Sequence, residues 1–351
     1  MVVRRLEWVL IPMGRTGIGL LCCVALTCAA FSVAAQKPKK DQLEKPMAGP
    51  RATALEVTTI YVSASTESER VGKVQIGREM VVAGKSGDWL KVYANTDIEE
   101  MQNERDAPMV GEDSTPPPIS GWARAKGIVE EDTPNGDLIV MGTAANEEAL
   151  ASDPRGPVNS AEAARLLYRR VIEMFPNSPL VAEAAWRSAD IHWQLEKADN
   201  ATLASNRERD PHLRPEMDDS DLKKVIKNNP RTRWAALAAF DLIDAKLCGQ
   251  WEGRTECPVK EADVYLKYAE EYPDGPRTAR ALYEAIYRMA VLTNMYEGEN
   301  NEGKSREAHQ KASEIAGQLR ARFADSEYAW RAGSLLYKLD QGIPVYGNDF
   351  Q

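Results

Sequence analysis

Few residues in this chain have the type and spacing to do chemistry. It has three histidines: His192 between Ile191 and Trp193 on a helical stretch, His212 in a charged loop, and His309 in a polar helix. No two are spaced to share a metal ion, and His192 reads as a packed side chain. Asp218, Asp219 and Asp221 hint at calcium, but the glycine and terminal glutamate of a calcium loop are missing, so capping of the helix around Leu222 is the better reading. There is no glycine-rich phosphate loop, nucleophile elbow or Cys–His arrangement. The sequence therefore predicts no catalytic, cofactor-binding or metal site, and no enzyme. The candidate ligand-binding residues are aromatic: Tyr61, Trp89, Tyr93 and Trp122 in short strand-like runs. The two tryptophans fit structural and ligand-facing positions alike.

Charge and cysteine use narrow the setting. Arg4, Arg5 and Arg15 precede an apolar run, Gly17 to Ala35, that ends in small residues. This is the pattern of a secretory signal peptide over residues 1–35, cleaved after Ala35; cleavage after Ala34 and an uncleaved anchor are the alternatives, and Met13 is an alternative start. Losing residues 1–35 removes three arginines and one glutamate and moves the net charge from −9 to −11. An acidic chain without a basic stripe argues against nucleic acid and anionic lipid, and no membrane span is expected after cleavage. Cys22, Cys23 and Cys28 leave with the signal, so Cys248 and Cys257 remain. An even pair in an exported chain predicts a disulfide.

The elements that carry these residues fall into two blocks. Residues 36–53 read as a Pro- and Lys-containing linker. Over 54–130 the pattern is short and β-like: Leu55–Val62, Val71–Val74, Met80–Ala83, Trp89–Tyr93 and Gly121–Arg124 with Ile128-Val129, five strands punctuated by glycine turns. An acidic loop, 95–119, is inserted before the last strand. Residues 131–158 read as a second linker with a short helix around 147–152. Asn159 with Glu162 three residues on predicts a capping box that opens a helical region, 159–338. There Ala164, Tyr168, Val171, Ile172 and Phe175 mark one apolar helical face, and 339–351 is a C-terminal tail.

The helical region repeats. Phe175-Pro176-Asn177-Ser178 returns as Tyr272-Pro273-Asp274-Gly275 and Phe323-Ala324-Asp325-Ser326, with a weaker copy at Asn229-Pro230-Arg231-Thr232. Each corner precedes a helix dense in alanine and aromatics. Alanine lets backbones approach, aromatics fill the gaps between pairs, and Asn, Asp, Ser or Thr at the corner can cap the next helix. The expected fold is a small all-β barrel followed by an all-α solenoid of helical hairpins.

Two families are resembled. Residues 54–130, through Gly72, Gly77, Gly87-Asp88-Trp89-Leu90-Lys91-Val92 and Gly121-Trp122, resemble bacterial SH3 domains, though the first-strand motif lacks its Asn and Arg. That resemblance implies an SH3-like barrel that binds cell-wall material or protein. Residues 159–338, through the corners at Phe175, Tyr272 and Phe323, resemble the tetratricopeptide-like repeats of periplasmic and outer-membrane accessory proteins. That resemblance implies a concave surface holding a partner's peptide or helix. The expectation is an exported, periplasmic or envelope-associated scaffold that binds envelope proteins through its repeats and peptidoglycan through its barrel. An envelope enzyme or accessory subunit acting on peptidoglycan is the alternative.

Overall fold

The computed structural model describes residues 49–97, 118–202, 217–249 and 251–345. The expected signal peptide, most of the first linker, most of the acidic loop, His212 and the end of the tail lie outside the described residues.

Seven strands form one antiparallel sheet: β1 (Arg51–Ala54), β2 (Thr58–Tyr61), β3 (Arg70–Val74), β4 (Glu79–Ser86), β5 (Trp89–Ala94), β6 (Ile119–Arg124) and β7 (Ile128–Glu130), in the order β3-β2-β6-β5-β4-β1-β7. Period-2 alternation decides which side is buried. Leu90, Val92 and Ala94 of β5 point into a core with Ile60, Val74, Met80, Val82 and Ala123, while Trp89, Lys91 and Tyr93 take the other face. Two expectations need correcting. The linker assigned to 36–53 contains most of β1, and the single strand expected over Leu55–Val62 starts only at Thr58. The reason is non-local: β1 is made a strand by pairing β4 on one side and β7 on the other, and neither partner is near it in sequence.

The stretch 131–158 is likewise not a linker. It holds α1 (Gly136–Ala151), sixteen residues long, whose Val140 and Ala144 are fully buried against the next helix and the end of the sheet. Its apolar residues have little helical period, so packing rather than amphipathicity makes this helix. Eight more α-helices come after it among the described residues: α2 (Ser160–Met174), α3 (Val181–Thr202), α4 (Ser220–Asn228), α5 (Arg233–Asp241), α6 (Glu256–Glu271), α7 (Thr278–Gly298), α8 (Glu302–Phe323) and α9 (Glu327–Asp340). The expected face of α2 is observed: Ala164, Tyr168 and Val171 are fully buried, with Ile172 and Phe175 packed against them. The expected capping box is not. The Asn159 side chain caps nothing, and Glu162 turns instead to a bidentate pair with Arg165, at 2.9 and 3.0 Å.

The four corners join α2 to α3, α4 to α5, α6 to α7 and α8 to α9. At two of them one hydroxyl serves both helices. Thr232 donates to the Asn229 carbonyl (2.7 Å) and accepts from the Ala235 N–H (3.3 Å); Ser326 donates to the Phe323 carbonyl (2.7 Å) and accepts from the Ala329 N–H (3.2 Å). Each ties off an orphan carbonyl of one helix and an orphan N–H of the next. Phe175 and Tyr272 are the C-terminal caps of α2 and α6, and the Pro273 carbonyl accepts from Arg322 of α8. Pro176 and Pro230 stand just past the ends of α2 and α4, where no helical N–H is lost.

Sheet and helices meet at Arg170. Its side chain is fully buried; Nε donates to the Gly77 carbonyl (3.0 Å), one terminal nitrogen to Glu79 (2.8 Å) and Glu173, and the other to Asp97 (2.7 Å). Arg51 also reaches Glu79, and Arg78 stands 3.8 Å from Asp97. Gly77, at φ +80°, brings its backbone so close to α2 that a Cβ would lie 2.7 Å from Leu166 Cβ. An apolar layer of Leu55, Ile76 and Val129 from the β-region against α1, α2 and α3 surrounds the contact.

Arg170→Met should lower unfolding free energy by about 3–5 kcal/mol, because Glu79 and Asp97 would lose the one fully buried cation that joins them. Arg169→Met, one residue away in a less buried pair with Glu173, 19% and 18% exposed, should cost clearly less, about 1–2 kcal/mol. Equal costs in urea denaturation would contradict this account. A second prediction concerns the cysteines. Cys248 and Cys257 lie at disulfide distance, Cα to Cα 5.8 Å, within the range a disulfide requires. Glu261 secures the loop between them by accepting from the Cys248 N–H (2.9 Å) and Trp251 Nε1 (3.1 Å). Thiol labelling of the denatured, unreduced protein should modify neither cysteine, and Cys248→Ser should cost about 2–3 kcal/mol. Labelling of both would show that no bond forms.

Candidate functional site

The four aromatic residues singled out in the β-region share one face of the sheet. Strand pairing sets Trp89 opposite Arg124, Lys91 opposite Trp122, and Tyr93 opposite Ser120, while Tyr61 pairs with Trp122. Directly paired residues project to the same side, so this face carries Tyr61, Trp89, Trp122 and Tyr93 with Lys91 and Arg124 among them. Tyr61 meets Trp89 edge-on at 5.6 Å, and the Arg124 guanidinium covers the Trp89 ring at 4.4 Å. Trp89 is only 8% exposed; it is the floor of the cluster, and the half-exposed Tyr61 and Trp122 are its accessible edges. Tyr93 lies farther along β5, opposite Val81, and does not join the stack. Gly121 explains the Gly-Trp pair: a Cβ there would lie 2.5 Å from the Tyr61 carbonyl oxygen, so only glycine lets β6 bring Trp122 beside Tyr61.

In the helical region aromatic pairs join neighbouring hairpins, two of them between second helices and one between α5 and the first helix of the next hairpin. Trp186 of α3 stacks on Trp234 of α5 at 5.5 Å, Phe240 of α5 meets Tyr268 of α6 at 5.3 Å, and Tyr283 of α7 meets Tyr328 of α9 at 5.9 Å. Most of these rings are half-exposed, so the joints form a seam that solvent reaches. On α9, Trp330 and Tyr337 are 67% and 63% exposed.

Carboxylates cluster on the same seam. Asp241 accepts from Trp186 Nε1 at 3.0 Å, and Asp190, one turn beyond Trp186 on α3, accepts from Gln194 at 3.1 Å. Burial, then the charge of Asp190, pushes the Asp241 carboxyl up to about 7. Burial raises Asp190 as well. Sequence reasoning passed over both residues, since an aspartate in a helix facing solvent and one facing a tryptophan look alike in the pattern.

The remaining sequence candidates behave structurally. His192 is buried, with Nδ1 3.3 Å from Asp221; His192 and then Lys224 hold the Asp221 carboxyl well below the usual range. Asp218 accepts from the Ser220 N–H at 2.8 Å, a turn-forming role at the start of α4, while the Asp219 side chain makes no cap. Among the described residues no three His, Cys, Asp or Glu side chains are grouped to hold a metal. No described helix is long and apolar enough to cross a membrane. Clefts of about 250 and 500 Å³ open between α2, α3 and α4 and between α6, α7 and α8, lined in part by side chains already paired, such as Arg169 with Glu173 and Lys311 with Glu314.

No family model matches the chain, and no curated protein matches it. Among solved structures it is similar to a de novo designed helical repeat protein, at 15% identity over 59% of this chain and 94% of that one, with a TM-score of 0.20. A superposition that loose carries no argument about fold or role.

The folded protein holds the Asp241 proton more tightly than the unfolded chain does, so this residue's contribution to stability is complete below about pH 4 and is lost as pH rises through about 7. Asp241→Asn keeps an acceptor for Trp186 without the charge. It should flatten the stability profile between pH 5 and 8 and raise unfolding free energy at pH 8 by about 1–3 kcal/mol. Urea titrations at the two pH values check this; an unchanged slope would mean the carboxyl is not strained.

Proposed function

We propose that the protein is an exported, non-enzymatic adaptor: an SH3-like barrel fused to tetratricopeptide-like repeats, in which the repeats bind an envelope protein and the barrel face binds peptidoglycan or peptide. The observation that carries this reading is the aromatic seam of the helical region. It runs from Trp186 to Tyr328 across four hairpins, and a stable interface needs an extended surface, about 800 Å² per partner. Half-exposed aromatics flanked by charge are the composition that interface centres favour. The sheet face, with Tyr61 and Trp122 accessible beside Lys91 and Arg124, is smaller and suits a sugar ring or a short peptide. The strand order and the single core inside the sheet support the barrel reading.

One observation favours a second reading, an envelope enzyme acting on glycan. Asp190 and Asp241 place two carboxylates together on the seam, and the Asp241 carboxyl is pushed up to about 7, an arrangement of the kind used for acid–base cleavage. Release of soluble fragments from purified peptidoglycan by the full chain, abolished in Asp190→Asn, would establish it.

In-cell crosslinking with mass spectrometry tests the adaptor reading. The double variant Tyr283→Ser/Tyr328→Ser in the full chain should lose most of the crosslinked partner. Tyr61→Ser/Trp122→Ser should keep the partner and lose retention on purified peptidoglycan. The reverse pattern would assign protein binding to the sheet face.

A further inference from the structure

We propose that the seam around Asp190 and Asp241 is a subsite for a lysine side chain presented by a basic peptide segment of the protein partner. The inference deepens the adaptor reading and rests on it.

Three features of the site converge. First, both carboxylates lack a cation. Among the described residues neither Asp190 nor Asp241 has a Lys, Arg or His nitrogen within 4 Å, while their neighbours are matched: Arg187 pairs with Glu148 (2.9 Å) and Lys197 with Asp244 (2.5 Å). Arg277, at the corner leading into α7, acts on both carboxylates only from a distance. Second, a buried donor beside them is unused. Tyr268 of α6 is 4% exposed, and its hydroxyl approaches the Arg277 backbone without hydrogen-bond geometry and has no partner; its charged neighbours are Asp241 and Arg277. Third, the walls are aromatic: Trp186 stacked on Trp234, and Phe240 against Tyr268, which in turn faces Tyr272 at 5.3 Å.

Those features select the ligand. Two half-buried carboxylates with no counter-ion attract a compact cation. Arg187, Arg233 and Arg280 already lie over Trp186, Trp234 and Phe240, so the rings pack the methylene stem of a lysine at their edges and its ammonium is left to the carboxylates. The Tyr268 hydroxyl is left to bridge to the segment's backbone or to the ammonium. An acidic partner would add to the like-charge strain. The chain as a whole carries net charge −9, so long-range steering also favours a basic segment. Binding should be coupled to proton release. The groups facing Asp241 are Asp190, Arg277, Asp244 and Tyr268: Asp190 and Asp244 add like charge, Asp244 while paired with Lys197, and Arg277 opposes them. A lysine ammonium would relieve both carboxylates together.

The test uses the full chain and a fluorescent nine-residue Lys/Ala peptide, with its acetyl-lysine twin as the uncharged control, at constant ionic strength. Affinity should tighten about tenfold from pH 6 to pH 8 as Asp241 ionises, and the acetylated peptide should not bind measurably. Asp190→Asn and Asp241→Asn should each weaken binding at pH 8 by about fivefold or more, and Tyr268→Phe by about twofold. Glu307→Gln on α8 should leave it unchanged. Equal losses in Glu307→Gln, affinity that ignores pH, or an aliphatic diamine that competes as strongly as the peptide would each overturn the proposal. So would peptidoglycan turnover that disappears in the same aspartate variants. The two readings fail separately: crosslinks to the partner that persist in Asp190→Asn and Asp241→Asn sink this subsite and leave the adaptor standing, whereas crosslinks unaffected by Tyr283→Ser/Tyr328→Ser sink the adaptor reading itself.

Discussion

A guanidinium with no exposed surface must find a partner for each of its three nitrogens or be a liability of several kcal/mol. Arg170 meets that condition only where the Gly77 carbonyl, Glu79 and Asp97 of the β-region converge on α2 beside Glu173. The placement of the sheet on the first hairpin is therefore over-determined. Shift α2 by one residue and the charges separate; give Gly77 a side chain and the backbones can no longer approach. The apolar layer around the contact supplies the attraction, and the ionic group supplies the register. Such a division of labour is common where a buried charge is retained although apolar residues could pack as well.

Much of the helical region was readable because its information is local. A corner needs a helix end, a turn and a cap within a few residues, and the sequence around Thr232 and Ser326 contains all three. The same holds for the Gly-Trp and Gly-Asp-Trp strands, whose glycines and tryptophans reveal both the turn and the exposed face. What was not readable is non-local. β1 is a strand only because β4 and β7 flank it, and α1 is a helix whose apolar residues show little period until α2 and the sheet surround it. Arg170 looked like one more charge in Arg169-Arg170, and nothing in the pattern distinguishes the buried arginine from the half-exposed one.

The candidate sites divide the same way. Tyr61, Trp89 and Trp122 could be found from residue type, and the structure sorts them into a buried floor and two open edges. The Asp190–Asp241 pair could not, since it forms between two hairpins some fifty residues apart in sequence. Its character comes from its surroundings: a tryptophan N–H, a second carboxylate, and an arginine too distant to neutralise either.

The helix α1 changes how the two surfaces can cooperate. A flexible connection would let the sheet face and the helical seam find their ligands independently, each raising the local concentration of the other over a wide range of separations. With α1 packed into that connection and Arg170 fastening α2 to the sheet, there is no slack to adjust. On the proposed adaptor reading the two faces would act as a gauge of fixed length, and only ligands held at a matching separation would be engaged together. Selectivity of that kind comes from distance rather than from the chemistry of either face.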